Sequence, residues 1–319
     1  MGEVVAALDV GGTSIKAGLV DRQGRVLFST RWPTVVEQGP AAVVAGIVDL
    51  ADELCSASEI SAGAGTSAVP ASTVKAIGVV VPGTVDRVAG VARLAVNLGW
   101  RDVPLVALIE ARTGLPVSLG HDVRAAALAE ARLGAGAGDE SMFFLAIGTG
   151  IAGGLARSGV VEDGAAGLSG EIGHLVVRHG GPACRCGNHG CLEAVASASR
   201  ISDRYASSTG RTTSAETIAA LVRSGDLPAQ LVWAEAIDAL ADALAAVTVL
   251  MDPARFVLGG GLSLAGATLV DPLVAALFQR LTFRPAPPVS LTALGDRAGV
   301  LGAALRAWDF LAALERERG

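Results

Sequence analysis

Residues Gly170–Glu193 read GEIGHLVVRHGGPACRCGNHGCLE and hold three of the four cysteines of the chain: Cys184, Cys186 and Cys191, with His174, His179 and His189 close by. Thiolates and imidazoles gathered this tightly suit a tetrahedral zinc site. A disulfide between the close-spaced thiols is the rival reading. Pairing is the habit of secreted chains, and the opening MGEVVAALDVGG has neither a basic n-region nor a small-residue cleavage site. Structural zinc is therefore the expectation. Spacing alone does not choose among the three histidines. The fourth cysteine, Cys55, lies in a helical pattern and reads as a small buried apolar residue. Glu171 and Glu193 place two carboxylates beside the metal segment.

With 319 residues the chain can form two domains of ordinary size with a substantial core. A formal net charge of -6 and the lack of a basic run argue against nucleic acid as a partner. The longest apolar helix-like stretch, Ala236–Met251, is interrupted by Asp238 and Asp242 and is too short to span a bilayer. A soluble cytoplasmic protein with no membrane partner is expected.

The order of elements narrows the fold. Val4–Val10, Ser14–Val20 and Arg25–Trp32 read as an antiparallel opening of three strands. A helix follows over Ala41–Cys55, then a loose Ser/Ala/Gly/Thr loop over Ser56–Ser72, and a buried strand over Val74–Val81. Leu105–Thr113 reads as a helix, Pro116–Leu119 as a strand and Val123–Leu133 as a helix. The second half repeats the theme. Strands at Ser141–Ile147 and Gly153–Ala156 flank a glycine-rich turn, and helices are expected over Glu193–Ala206, Ser214–Arg223 and Gln230–Met251. A strand at Arg255–Leu258, a further helix, a strand at Val289–Leu294 and a helix at Val300–Glu315 close the chain. The pattern predicts an α/β protein of two related lobes with a cleft between them.

Two Gly/Thr turns sit at matching places in these halves. Asp9, Gly11, Gly12 and Thr13 join the first two strands, and glycines there let the backbone approach an anion. Asp9 closes an apolar strand with a carboxylate, which hydrated Mg2+ would account for. An ordinary tight hairpin with Asp9 solvated at its mouth is the plainer alternative. Gly148, Thr149 and Gly150 form the second turn, and the pair could pinch the phosphates of a nucleotide. Neither is a Walker loop. Gly259, Gly260 and Gly261 follow a strand and precede a helix, either to pass a nucleotide closely or as a flexible joint.

Asp122 ends a strand just before a helix. It is an N-cap by type, or a general base that accepts the proton of an attacking hydroxyl in phosphoryl transfer. Asn97 is a lone amide in an apolar segment and needs partners if buried. Glu171 and His174 are spaced to share one face of a helical turn.

Together these residues resemble the ROK family of sugar kinases and sugar-responsive repressors, nearly end to end. The likeness rests on Leu8–Thr13 (LDVGGT), Val81–Gly83 (VPG), His121-Asp122, Ile147–Gly150 (IGTG), Gly170–His174 (GEIGH), Cys184–Glu193 (CRCGNHGCLE) and Leu258–Gly261 (LGGG). The resemblance implies a two-lobed actin/hexokinase-type, ribonuclease H-like ATPase fold with a small zinc-binding segment. Its division would be residues 1–121 plus 298–319 as the small lobe and 122–297 as the large one. It also implies ATP, Mg2+ and structural Zn2+, a hexose or N-acetylhexosamine substrate phosphorylated at its 6-hydroxyl, and a homodimer or homotetramer. Asp122 then looks like the general base, and Asn97, His121, Asp122, Glu171, His174 and Glu193 like the sugar contacts. His174, Cys184, Cys186 and Cys191 look like the zinc ligands. Phosphate contacts fall to Asp9, Gly11, Gly12, Thr13, Gly148, Thr149, Gly150, Gly259, Gly260 and Gly261.

This chain departs from the family where His121 replaces the usual Asn and Arg124 stands where Asn is common. A neutral His also donates and accepts hydrogen bonds, with a larger ring and a different reach. A charged His121 would stabilise ionised Asp122 and weaken it as a base. Kinase activity on glucose, N-acetylglucosamine or a relative is the leading expectation. A sugar sensor that has lost catalysis is the alternative. A repressor is disfavoured, because the chain starts only a few residues before LDVGGT and is acidic.

Overall fold

The computed structural model describes residues 2–56 and 74–318. From residue 57 onward, the loop expected over Ser56–Ser72 lies outside the described residues. The chain forms two compact units. The first is Met1–Ala129, Asp163–Leu168 and Asp296–Gly319; the second is Glu130–Glu162 and Ser169–Gly295. Asp122–Ala129 and Asp163–Leu168 thus pack with the first unit, whereas the sequence-based division assigns them to the large lobe.

In the first unit, β1 (Val4–Val10), β2 (Ser14–Asp21) and β3 (Val26–Pro33) form an antiparallel meander. After α1 (Pro40–Ser56) comes β4 (Val74–Val81). Then follow the short strands β5 (Thr84–Asp86), β6 (Val91–Ala95) and β7 (Trp100–Val103). Helix α2 (Leu105–Thr113), β8 (Val117–His121) and α3 (Asp122–Leu133) come next. The main sheet runs β3-β2-β1-β4-β8, with β4 and β8 parallel to β1. Alternation along β1 sorts its faces. Val4, Ala6, Leu8 and Val10 pack with Val43, Ile47 and Leu50 of α1 and with Leu105 and Ile109 of α2. Asp9 belongs to the opposite face.

The small sheet β5-β6-β7 is absent from the sequence-based reading. Its strands are three to five residues long, too short for alternation to register. It positions Asn97, which lies exposed in a 3-10 turn over Val96–Leu98.

In the second unit, β9 (Ser141–Ile147), β10 (Ile151–Arg157) and β11 (Val160–Val161) repeat the meander. Helices α4 (Leu192–Ala196), α5 (Ala198–Thr209), α6 (Ala215–Arg223) and α7 (Leu227–Met251) lead to β12 (Arg255–Gly259). Helix α8 (Ala267–Arg280) and β13 (Val289–Leu291) follow, and α9 (Ala298–Arg318) returns the chain to the first unit. This sheet runs β11-β10-β9-β12-β13, with β12 parallel to both β9 and β13. Strand for strand, it is the topology of the first sheet. Leu145, Ile147, Phe256 and Leu258 pack against Trp233, Ile237, Leu240 and Leu244 of α7.

Several expected boundaries move, two of them for a reason that the hydrogen bonds show. The single helix expected over Glu193–Ala206 breaks at Ser197, which is extended and caps α5 by accepting the Arg200 N–H at 3.4 Å. The strand expected to reach Leu294 stops at Leu291. Beyond it, the N–H groups of Ala293 and Leu294 donate to buried Glu130 at 3.3 and 2.9 Å instead of to a neighbouring strand.

α9 covers the Asp9 face of the first sheet. A Cβ on Gly78 of β4 would lie 2.0 Å from the Ala303 carbonyl, so the helix rests on bare strand backbone. No helix among the described residues is long and apolar enough to cross a membrane.

Candidate active site

The β1–β2 hairpin presents the first Gly/Thr turn. The Gly11 N–H donates to the Ser14 carbonyl at 3.0 Å, and the Thr34 hydroxyl donates to the Gly11 carbonyl at 2.7 Å. The Thr34 N–H also meets the Thr13 carbonyl at 3.0 Å, so a buried threonine after β3 fixes the turn from one side. Asn97 stands at the other: its Nδ2 would lie 3.3 Å from a Cβ placed on Gly12.

Asp9 faces Lys16 across the hairpin, with Nζ 3.9 Å from Oδ2. Lys16 and Arg31 both pair with Asp296, whose carboxyl they hold below the usual range. Asp9 itself is pushed up to about 7, first by burial and then by the like charge of Asp122, with Lys16 opposing. A Cβ on Gly299 would lie 2.2 Å from Asp9 Oδ2, so the start of α9 presses on this carboxylate.

Asp122 opens α3 at the end of β8. An N-cap carboxylate ordinarily takes the N–H two or three residues on. Asp122 Oδ1 instead accepts the adjacent Val123 N–H at 2.7 Å. That N–H also points to His121 Nδ1 at 3.2 Å, and Nδ1 stands 3.2 Å from Asp122 Oδ1. His121 is buried, while the Asp122 side chain keeps 28% of its surface open. Burial pushes the Asp122 carboxyl up to about 6; the Val123 N–H and the Arg124 charge oppose the rise.

In the second unit, the 148–150 turn joins β9 to β10. The Gly148 N–H donates to Gly150 O at 2.9 Å, and the Ile151 N–H donates to Glu193 Oε2 at 2.9 Å. The Ala198 N–H and Ser199 hydroxyl hold the Gly148 and Thr149 carbonyls at 2.9 and 2.8 Å. The glycine run of 259–261 approaches the same turn. Gly260 has φ +78, and a Cβ on it would meet the Ile147 carbonyl at 2.5 Å. GEIGH packs on β10, where the Gly153 N–H donates to the Gly170 carbonyl at 2.7 Å. Glu171 and His174 flank a 3-10 turn over Ile172–His174, with His174 Nε2 4.0 Å from Glu171 Oε2.

His174, Cys184, Cys186 and Cys191 come together, with ligand atoms all within 4.8 Å of one another. Cys186 Sγ lies 3.7 Å from Cys191 Sγ, and Cys184 Sγ lies 3.8 Å from His174 Nδ1. Tetrahedral zinc with Zn–S bonds of about 2.3 Å places its sulfurs about 3.8 Å apart, so the donor set and its edges fit the metal. Both free thiols and imidazole are the donors zinc favours. His179 and His189 are exposed and stand apart from the cluster. The turn that carries Cys184 and Cys186 is closed by Cys184 N–H to Asn188 O at 2.8 Å and Gly187 N–H to Cys184 O at 3.0 Å. Arg178 anchors the segment to α7 through Asp238 and Asp242, at 2.6 and 2.5 Å.

The structure therefore gathers Asp9, Gly11, Gly12, Thr13 and Asn97 at one turn of the first unit and His121 with Asp122 at the end of β8. In the second it gathers Gly148–Gly150, Glu193 and Gly259–Gly261, with Glu171 and His174 beside the cysteines. Thr34, Lys16 and Asp296 are polar groups of this site that the sequence-based reading passes over. Of these, only Lys16 has a local signal, two residues into a strand that follows a phosphate-type turn.

The ROK family model matches residues 5–309. The chain belongs to the ROK family. A glucokinase of Halalkalibacterium halodurans is 36% identical over 314 residues, covering 92% of this chain and 92% of the relative. Among solved structures, the ROK hexokinase of Thermus thermophilus superposes with a TM-score of 0.82 at 36% identity, covering 99% of this chain and all 100% of that one. A ROK-family glucokinase of Streptomyces griseus, in complex with glucose and AMPPNP, gives 0.79 at 30% identity over 96% of this chain and 99% of that one. The mixed α/β hexokinase-type fold expected from the sequence is the fold of this ROK chain.

Proposed function

We propose that this ROK chain is a sugar kinase that transfers the γ-phosphoryl group of Mg-ATP to the 6-hydroxyl of a hexose, glucose or an N-acetylhexosamine. The observation that carries the reading is Asp122. It is a partly exposed carboxylate at the end of a parallel strand, its pKa pushed up to about 6, in a chain whose full-length relatives include glucokinases. A carboxyl poised near the working pH, ionised but basic, is what a hydroxyl nucleophile needs.

Asp122 orients the 6-hydroxyl and takes its proton as the phosphoryl group leaves ATP. His121 and Asn97 contact sugar hydroxyls; the corresponding groups of the second unit are Glu171, His174 and Glu193. The Asp9–Thr13 and 148–150 turns and the 259–261 glycines offer backbone N–H groups to phosphate oxygens. Asp9 would hold the hydration shell of Mg2+, which supplies charge neutralisation of the phosphates. His174, Cys184, Cys186 and Cys191 would hold Zn2+, which braces the segment bearing Glu171 and Glu193. The His174 Nδ1 edge faces the thiols, which leaves Nε2 to a substrate hydroxyl or Glu171.

The test is ADP release with Mg-ATP across glucose, N-acetylglucosamine, N-acetylmannosamine, mannose, fructose and allose. One sugar should be clearly preferred, and Asp122→Ala should lose orders of magnitude in kcat while ATP binding persists. Binding of a sugar by calorimetry, with no ADP formed from any of them, would point to a sensor instead.

A further inference from the structure

Among the described residues, Arg124 is the largest of the fully buried side chains, only 1% exposed, and sits in the first turn of α3 two residues beyond Asp122. Burying a guanidinium is costly unless it is paired, and an apolar side chain would often fill such a site at lower cost. Arg124 Nη2 donates to the Gly167 carbonyl at 2.7 Å, and its Nε lies 3.2 Å from Asp163 Oδ1. Asp163 Oδ2 also meets Arg306 of α9, at 3.8 Å, and Arg87 from the loop after β5. One carboxylate thus gathers guanidiniums from three separate elements. The same elements grip the strand end that bears the base. A Cβ on Gly120 would lie 2.5 Å from Arg306 Nε, and one on Gly302 of α9 would lie 2.0 Å from the Ala125 carbonyl.

We propose that Arg124 is a positioning residue for Asp122: with Asp163 it locks the first turn of α3 to the Asp163–Gly167 segment and sets a fixed positive charge two residues from the carboxyl. This rests on Asp122 being the general base. The charged groups around Asp122 come from several elements. His121 and Arg124 lie on its own strand and helix, Asp9 on β1 with Lys16 opposite, and Arg306 on α9 packs on Gly120 of β8. Burial resists ionisation of Asp122, and Arg124 is the charged side chain that favours it. Removing that charge should make the base harder to ionise, and breaking the tie alone should misplace it.

Three variants separate the two effects. Arg124→Met leaves Asp163 paired with Arg87 and Arg306. It should lower kcat about 10- to 100-fold, leave KM for Mg-ATP within about twofold, and move the acid limb of kcat/KM up by about one pH unit. Arg124→Lys keeps the charge without the planar fork, so the limb should stay and kcat should fall. Asp163→Asn should also lower kcat with the limb in place. The Asp122 carboxyl is titrated in parallel by carbon-13 NMR of aspartate-labelled protein, its signal assigned with Asp122→Asn. If the wild type phosphorylates no sugar, the kinase reading fails, and the NMR titration still decides whether Arg124 sets the acidity of Asp122. If Arg124→Met does not fold, unchanged kcat in both Arg124→Lys and Asp163→Asn overturns the proposal. So does a folded Arg124→Met whose NMR titration stays within about 0.3 pH unit of wild type, whatever its kcat.

Discussion

Glu193 Oε2 accepts the Ile151 N–H at 2.9 Å, which ties the first turn of α4 to the 148–150 turn. Cys191, the N-cap of that helix, belongs to the Cys/His cluster. Three residues therefore connect the metal segment to a turn proposed to hold phosphate. A hydrogen bond from a backbone N–H to an ionised carboxylate contributes about 1.5–3 kcal/mol. Glu193→Ala should lower kcat/KM for ATP by about 10- to 100-fold, whereas Glu193→Gln keeps an acceptor oxygen and should lose less than about fivefold. Steady-state kinetics on the two variants check this; equal losses would mean that the charge, and not the tie to Ile151, matters.

Metal content is the second prediction. Purified protein should contain about one zinc per chain, and Cys186→Ser should lose it. Because Cys191 and Glu193 share a short helix, the loss should lower the melting temperature and raise KM for ATP together. Elemental analysis with a thermal scan decides it: a zinc-free Cys186→Ser as stable as wild type would remove the structural role. The Arg178–Asp242 and Arg280–Asp242 pairs, which outweigh burial and hold the Asp242 carboxyl below its usual range, should keep α7 and α8 in place without the metal.

Much of this site was legible because its cues are local. The Asp9–Thr13 and Gly148–Gly150 turns each lie between strands with clear apolar runs, and both proved to be hairpin turns at equivalent places in two sheets of the same strand order. Cys184, Cys186 and Cys191 announce themselves by type and spacing, and His174 joins them. What stayed hidden depends on partners distant in sequence. Nothing near Arg124 indicates that its guanidinium would meet Asp163 and Gly167. Thr34 holds Gly11 from the far end of β3. The break at Ser197 was hidden because Glu193–Ala206 keeps a helical pattern through the residue that caps the next helix.

Sugar choice should respond to His121. Its ring is buried beside the base, with Nδ1 3.2 Å from both the Val123 nitrogen and Asp122 Oδ1. Asn at this position would be shorter and would offer both a donor and an acceptor. His121→Asn should therefore change the order of preference on a panel of hexoses by about 10-fold or more for at least one pair, the size of one misplaced hydrogen bond. Ratios of kcat/KM across the panel check it. A uniform change across all sugars would mean that His121 supports Asp122 and does not select substrate.

The raised pKa of Asp122 has a consequence for stability. Its carboxyl is pushed from the ordinary 3.8 up to about 6 in the folded chain, chiefly by burial. The native state then holds this proton over a range in which the unfolded chain has released it. Its contribution is full below about pH 4 and is lost as pH rises through about 6. Above that, the fold carries an ionised carboxylate that burial disfavours. Two pKa units correspond to about 3 kcal/mol, an upper bound because the side chain is 28% exposed. Asp122→Asn, which cannot ionise, should be inactive yet unfold at a higher temperature than wild type at pH 8. The advantage should shrink as the pH is lowered and disappear near pH 4. Thermal midpoints of both proteins from pH 4 to 8 give the curve, together with wild-type kcat/KM, whose acid limb should fall near pH 6. A stability difference that does not change with pH would mean that the Asn variant acts through packing and that Asp122 is not the strained, proton-holding group described above.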